Sequence, residues 1–254
     1  MEVVAMSTRI LAGGGYRYIP AVSQYSAGVA AEVGSRIERA RFSRVVPLRE
    51  GFERIEQHLK SIGRPNLAFC ACELRSPAPF TEAGFREFNE IYTGTLKRWG
   101  IIGEANPVAR SNVCPELDPP PEPGFFAFSY TMPDAGAAPS FVVAGSAEAP
   151  EGKGDYRDNA IARGDVSPEG IRAKARWVIG EMENRMRTLG FDWRAATATQ
   201  VYTVHDIHPF LGDELVRRGA MRAGVTWHFN RPPIVGLEYE MDCRGVAIEH
   251  VLAA

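Results

Sequence analysis

Leu59-Lys60-Ser61-Ile62-Gly63 and Met186-Arg187-Thr188-Leu189-Gly190 are the two stretches whose reading decides the fold. In each, an apolar residue runs straight into a glycine, the residue that most readily takes the left-handed conformation closing a helix. Outward from the first, Phe52, Ile55, Leu59 and Ile62 recur at helical spacing and predict a helix over 49–62. Outward from the second, Ile171, Ala175, Val178, Ile179, Met182, Met186 and Leu189 form a longer stripe. Ser167-Pro168-Glu169 opens that helix, a capping residue followed by proline at the first helical position.

Each glycine is followed by a predicted strand (66–74 and 198–204), a second helix (81–99, capped by Thr81, and 208–218) and closing strands. Strands are also expected over 16–29, 37–46, 111–114, 125–132, 140–144, 224–229 and 236–248. The glycines stand about half a chain apart, and the order of elements repeats around them. Between the repeats, Pro119, Pro120, Pro121 and Pro123 crowd a loop that cannot lie inside a sheet, and a Gly/Ala/Pro-rich run follows over 133–139. The expected fold is α+β: two similar domains, 1–135 and 136–254, each a mixed sheet backed by two helices.

The totals narrow the function. With 29 Lys+Arg against 31 Asp+Glu, there is no basic excess of the kind a nucleic-acid partner needs. Arg36, Arg39, Arg41 and Arg44 read as a solvated strand face. Cys70, Cys72, Cys114 and Cys243 lack the paired spacing of a zinc site and read as buried free thiols, which suits the reducing cytoplasm. Met1–Met6 has no charged start or long apolar stretch, and no run approaches ~18 apolar residues, so neither a leader nor a membrane span is expected. Leu11-Ala12-Gly13-Gly14-Gly15-Tyr16 lacks the Lys-Ser/Thr of a phosphate loop and reads as a turn. His205, His208 and His228 read as structural or surface residues, with Asp206 as a helix cap. No cofactor and no metal are expected.

Several stretches carry a resemblance. Phe88-Asn89-Glu90-Ile91-Tyr92 and Pro107-Val108-Ala109-Arg110-Ser111 in the first half, and Phe141-Val142-Val143-Ala144-Gly145-Ser146 with Gly236-Leu237-Glu238-Tyr239-Glu240-Met241 in the second, resemble the RidA/YjgF family. The resemblance implies tandem chorismate-mutase-like domains and a homo-oligomer, by family habit a trimer, with clefts between neighbours. It also implies hydrolysis of an enamine or imine to a ketone and ammonia. In that chemistry an arginine anchors the substrate carboxylate and a glutamate positions or activates water.

On those positions, Arg110 matches the anchoring arginine; the plainer reading is an ion pair with Glu104 or Glu116. The first half has Phe125-Phe126-Ala127-Phe128 where the family carries its glutamate. Arg222 and Glu238 stand at about the family interval and are expected to be the catalytic pair, with Arg231 as a rival anchor. Glu240 shares a strand face with Glu238, either as its partner or as a second solvated carboxylate. Tyr25 is expected to wall the cleft. The expected activity is hydrolytic deamination of an amino-unsaturated carboxylate, an amino-diene acid among the candidates. The rivals are a non-catalytic metabolite-binding protein and a chorismatase-like hydrolase of enolpyruvyl ethers.

Overall fold

The computed structural model describes residues 7–254, so the reading of Met1–Met6 lies outside the described residues. Both decisive glycines take the left-handed conformation, Gly63 at φ 70° and Gly190 at φ 88°. In chain order the first part holds β1 (Arg9–Leu11), β2 (Tyr16–Ile19), β3 (Gly28–Ala31), β4 (Ser35–Pro47), α1 (Leu48–Ser61), β5 (Phe69–Arg75), α2 (Glu82–Arg98), β6 (Ala109–Pro115) and β7 (Gly124–Pro133). The second part holds β8 (Phe141–Ala147), α3 (Pro168–Leu189), β9 (Ala198–Tyr202), β10 (Thr226–His228), β11 (Asn230–Arg231), β12 (Glu240–Gly245) and β13 (Ile248–Leu252). Thr81 and Ser167 cap their helices as expected, each side chain accepting the N–H three residues on.

The strands form two sheets, β11-β6-β5-β7-β4-β13 and β1-β2-β3-β8-β12-β9-β10. Each contains the same four-strand order, β6-β5-β7-β4 in one and β10-β9-β12-β8 in the other. The pairing senses also match: β5–β6 and β9–β10 are parallel, and the remaining pairs are antiparallel. The chain-terminal strands cross over. β1–β3 extend the second sheet through β8, while β13 runs beside β4 in the first. Both sheets therefore draw strands from each side of residue 135.

Burial explains the layering. Phe52, Ile55 and Leu59 of α1 and Phe85, Phe88, Tyr92 and Leu96 of α2 pack on Phe69, Phe125 and Phe128 of the first sheet. The stripe of α3 packs on Phe141, Val143, Val201, Met241 and Cys243 of the second. A smaller cluster, including Tyr16, Val29, Cys70, Ala109 and Ala144, joins the two sheets. The order is thus helix, sheet, sheet, helix. All four cysteines are buried free thiols. Among the described residues, no helix is long and apolar enough to cross a membrane.

Some expected elements differ. The segment 16–29 splits because Pro20, which cannot donate to a ladder, follows β2. Residues 66–68 form a 3-10 turn before β5, and the stretch 236–248 enters the sheet only at Glu240. The expected helix over 208–218 is a short α turn at His208–Phe210 followed by a π turn at Leu211–Val216. Arg39 corrects the reading of a solvated arginine face. It is buried and donates to both carboxylate oxygens of Glu73, at 2.6 and 2.9 Å. The second sheet covers this face, and strand periodicity alone gives no sign of such a cover.

A buried guanidinium survives only when paired, so removing one partner leaves an uncompensated charge. Glu73→Ala is expected to lower stability by about 3–5 kcal/mol, read by urea unfolding. Arg39 holds the Glu73 carboxyl below its ordinary range, against the opposing cost of burial. Its contribution is therefore lost as pH falls through that depressed range, and the gap between wild type and variant narrows in acid.

Candidate active site

The site begins on β6, where Arg110 and Asn112 project from one face because side chains alternate along a strand. Arg110 is only 3% exposed. Its guanidinium lies 4.8 Å from the ring centre of Tyr92, 5.2 Å from Tyr25, 5.6 Å from Phe85 and 5.8 Å from Phe88. One nitrogen donates to the Asn89 side-chain oxygen at 2.7 Å. Among the described residues no carboxylate lies within ion-pair distance of it. The aromatic faces offset part of the cost of burying this charge. The planar fork stays free for a carboxylate, which it can hold through two parallel hydrogen bonds.

Across the cleft stands Glu240, the first residue of β12 and also 3% exposed. Its carboxyl lies over Gly145 of β8, where a Cβ would collide with it. Burial drives its pKa well above the ordinary glutamate range. Asp242 and Glu148 add to the shift, and Arg110 and Arg75 oppose it. Among the described residues no side chain hydrogen-bonds this carboxyl, so it is a proton-holding group facing a cavity. Arg110, Glu240, Tyr25, Asn112, Glu151 and Tyr156 line that cavity, of about 40 Å³.

The loop after β8 closes the cleft and fixes Glu240. Glu151 accepts hydrogen bonds from Tyr25 and from the buried Arg185, both at 2.9 Å. Glu148 accepts the backbone N–H of Glu238 at 2.7 Å and of Tyr239 at 3.0 Å, the two residues leading into Glu240. Lys174 of α3 lies 3.4 Å from Glu148, both fully buried, and donates to the carbonyls of Ile161 and Ala162. One buried ion pair thus ties α3, the loop after β8 and the entry to β12 together.

Of the residues expected from sequence, the structure gathers Arg110, Tyr25 and Glu240 and leaves three outside. Glu238 meets His205 at 2.8 Å and lies 3.7 Å from Arg231, which itself donates to Glu116 at 2.7 Å. Because the Glu238 and Tyr239 N–H groups serve Glu148, the strand begins at Glu240, four residues later than expected, and Glu240 rather than Glu238 faces the cleft.

Arg222 is exposed on the turn before β10. Register explains why. Glu73 and Gln200 each stand ten residues after their helix-ending glycine. Glu73 faces Ser111 across β5–β6, and Gln200 faces Thr226 across β9–β10. The counterpart of Arg110 is therefore Val225. On the other flank Glu73 faces Ala127 and Gln200 faces Asp242, so the acid-bearing strand of the second sheet has apolar residues as its counterpart. The first repeat holds the arginine, the second holds the acid, and one composite site results. Sequence reasoning missed Asn112, Glu148, Glu151 and Lys174. Asn112 alone carried a signal, its place two residues beyond Arg110.

A family model described as 2-aminomuconate deaminase CnbZ matches residues 8–250. The chain belongs to that family. A CnbZ relative, the 2-amino-5-chloromuconate deaminase of Comamonas testosteroni, is 55% identical over 246 residues, covering 96% of this chain and 98% of its own. The deaminase resemblance read from the sequence is borne out. Two solved structures show a weak likeness. A candidate endoribonuclease from Thermotoga maritima shares 17% identity over 42% of this chain and 79% of its own, with a TM-score of 0.33. A candidate endoribonuclease L-PSP from Entamoeba histolytica shares 13% over 42% and 80%, with a TM-score of 0.28. Neither likeness carries weight for this CnbZ-family chain.

The contact between Glu240 and Gly145 is directly testable. Gly145→Ala is expected to displace the carboxyl, costing about 1–3 kcal/mol of stability through overpacking and a larger share of activity. Thermal unfolding and turnover, measured side by side, separate the two.

Proposed function

We propose that this chain is a hydrolytic deaminase of a 2-aminomuconate-type substrate, a conjugated six-carbon diacid whose nitrogen sits on an enamine carbon. The observation that carries the reading is the composite cleft: an unpaired buried arginine facing a buried carboxyl that holds its proton. Family membership and the named substrate of the 55%-identical relative point the same way. The repeated four-strand order supports reading the chain as two copies of one RidA-type unit, with the linking loop near residue 135.

In this scheme Arg110 takes the carboxylate next to the amino-bearing carbon. Glu240, protonated at rest, gives its proton to the enamine's carbon chain, and the enamine becomes an iminium. Water then adds to the C=N carbon and returns a proton to the Glu240 carboxylate. The resulting carbinolamine expels ammonia and leaves the 2-oxo acid. One water enters and one ammonia leaves, with no change of oxidation state. The apolar walls exclude stray water and keep the Glu240 proton in place.

Ammonia release from 2-aminomuconate tests the scheme. Arg110→Ala is expected to raise KM sharply, and Glu240→Gln to lower kcat by about 10²–10⁴. Binding without turnover by the wild type would favour a metabolite-binding protein instead. The pH dependence has a defined sign. The folded pKa of Glu240 lies above its unfolded value, so the native state binds that proton more tightly. Stability from this group is full below the unfolded pKa and falls as pH rises toward the folded one. Activity resting on the protonated form falls over the same rise. Glu240→Gln, always neutral, is expected to escape the alkaline loss of stability while staying inactive, read by melting temperature across pH.

A further inference from the structure

We infer that Asn112 receives the far carboxylate of a diacid, so that the Arg110-Ser111-Asn112 strand sorts diacids from monoacids. The inference rests on the deaminase reading for the identity of the substrate, though not for the site's preference.

Asn112 is 3% exposed and lines the cleft with Arg110 and Glu240. Its side-chain oxygen accepts the Ser76 hydroxyl at 3.0 Å, which fixes the way the amide points. The amide nitrogen is then a buried donor with no partner among the described residues. An orphaned buried donor costs free energy, so a protein that keeps one in a cleft keeps it for an acceptor that arrives from outside. An amide N–H cannot serve an ammonium or iminium, and it suits a carboxylate oxygen.

The spacing fits a diacid. Two residues along a strand cover on the order of 6–7 Å, comparable to the separation of the two carboxylates on an extended six-carbon diene. With one carboxylate on Arg110, the chain laid along β6 brings the other to Asn112. Glu240 lies beside this line, lining the same cavity as Arg110 and Asn112. A proton donor so placed faces the conjugated chain between its two anchors. Neither the anchoring arginine nor the acid distinguishes one carboxylate from two. The orphaned amide does.

Binding of two unreactive probes, measured by titration calorimetry, tests this without turnover. Muconate is the six-carbon dienedioate without the amino group; sorbate is the six-carbon dienoate with one carboxylate. The wild type is expected to bind muconate at least about tenfold more tightly, since a hydrogen bond to a charged group is worth on the order of 10- to 100-fold in affinity. Asn112→Ala is expected to abolish that preference and leave sorbate binding unchanged, which also shows that the cleft is still folded. Asn112→Asp, which keeps the Ser76 bond, is expected to reverse it by repelling the second carboxylate. Equal binding of the two probes by the wild type would overturn the inference without recourse to any variant. So would a muconate preference that survives in Asn112→Ala. A muconate preference that depends on Asn112, found together with no ammonia release from 2-aminomuconate, would overturn the deaminase reading alone.

Discussion

Charge placed between two sheets is the constraint on which the rest of this structure depends. A guanidinium or carboxylate removed from water must find a partner or change its protonation state. The inter-sheet layer meets this demand in two ways. Around Arg39, Glu73, Gln200 and Asp242 the groups satisfy one another: Arg39 holds Glu73, and Gln200 donates to Asp242 at 2.7 Å. A few residues away the demand is left open. Among the described residues, Arg110 has aromatic faces and an amide but no acid, and Glu240 has a raised pKa but no donor. The first arrangement stabilises the joint between the sheets; the second leaves a buried cation and a buried acid facing one cavity.

The two sheets carry one strand order with different side chains, and they share a single interior. With β1–β3 in the second sheet and β13 in the first, neither sheet is complete without the other half of the chain. Val225 stands where a second arginine would be, and apolar residues stand where the first repeat would carry an acid. Gly145 sets a steric condition, since the cleft has room for the Glu240 carboxyl only where β8 lacks a Cβ. The Lys174–Glu148 pair holds the acid-bearing strand at this spot by taking up the backbone groups just before it.

Much of the fold was legible in the amino-acid order. Helix caps at Thr81 and Ser167, glycines at 63 and 190, and the apolar stripes of the three long helices are local signals, set by backbone geometry and periodicity within a few residues. Arg110 could be named because it lies in a motif with recognisable neighbours, and Tyr25 as an aromatic residue on an early strand able to wall a cleft. Glu240 was in view as the partner of Glu238, yet the choice between them turned on where β12 begins. That depends on Glu148, which lies ninety residues earlier in the chain.

By itself the sequence determined the elements and the repetition of their order, because both rest on short-range spacing, and its family resemblance singled out Arg110. Only the tertiary structure decided which acid faces that arginine, that Arg222 stands outside, that Arg39 is buried, and that Asn112 holds an unused donor. These outcomes depend on strand register and on which surfaces cover one another, and both are set by packing between residues far apart in the chain.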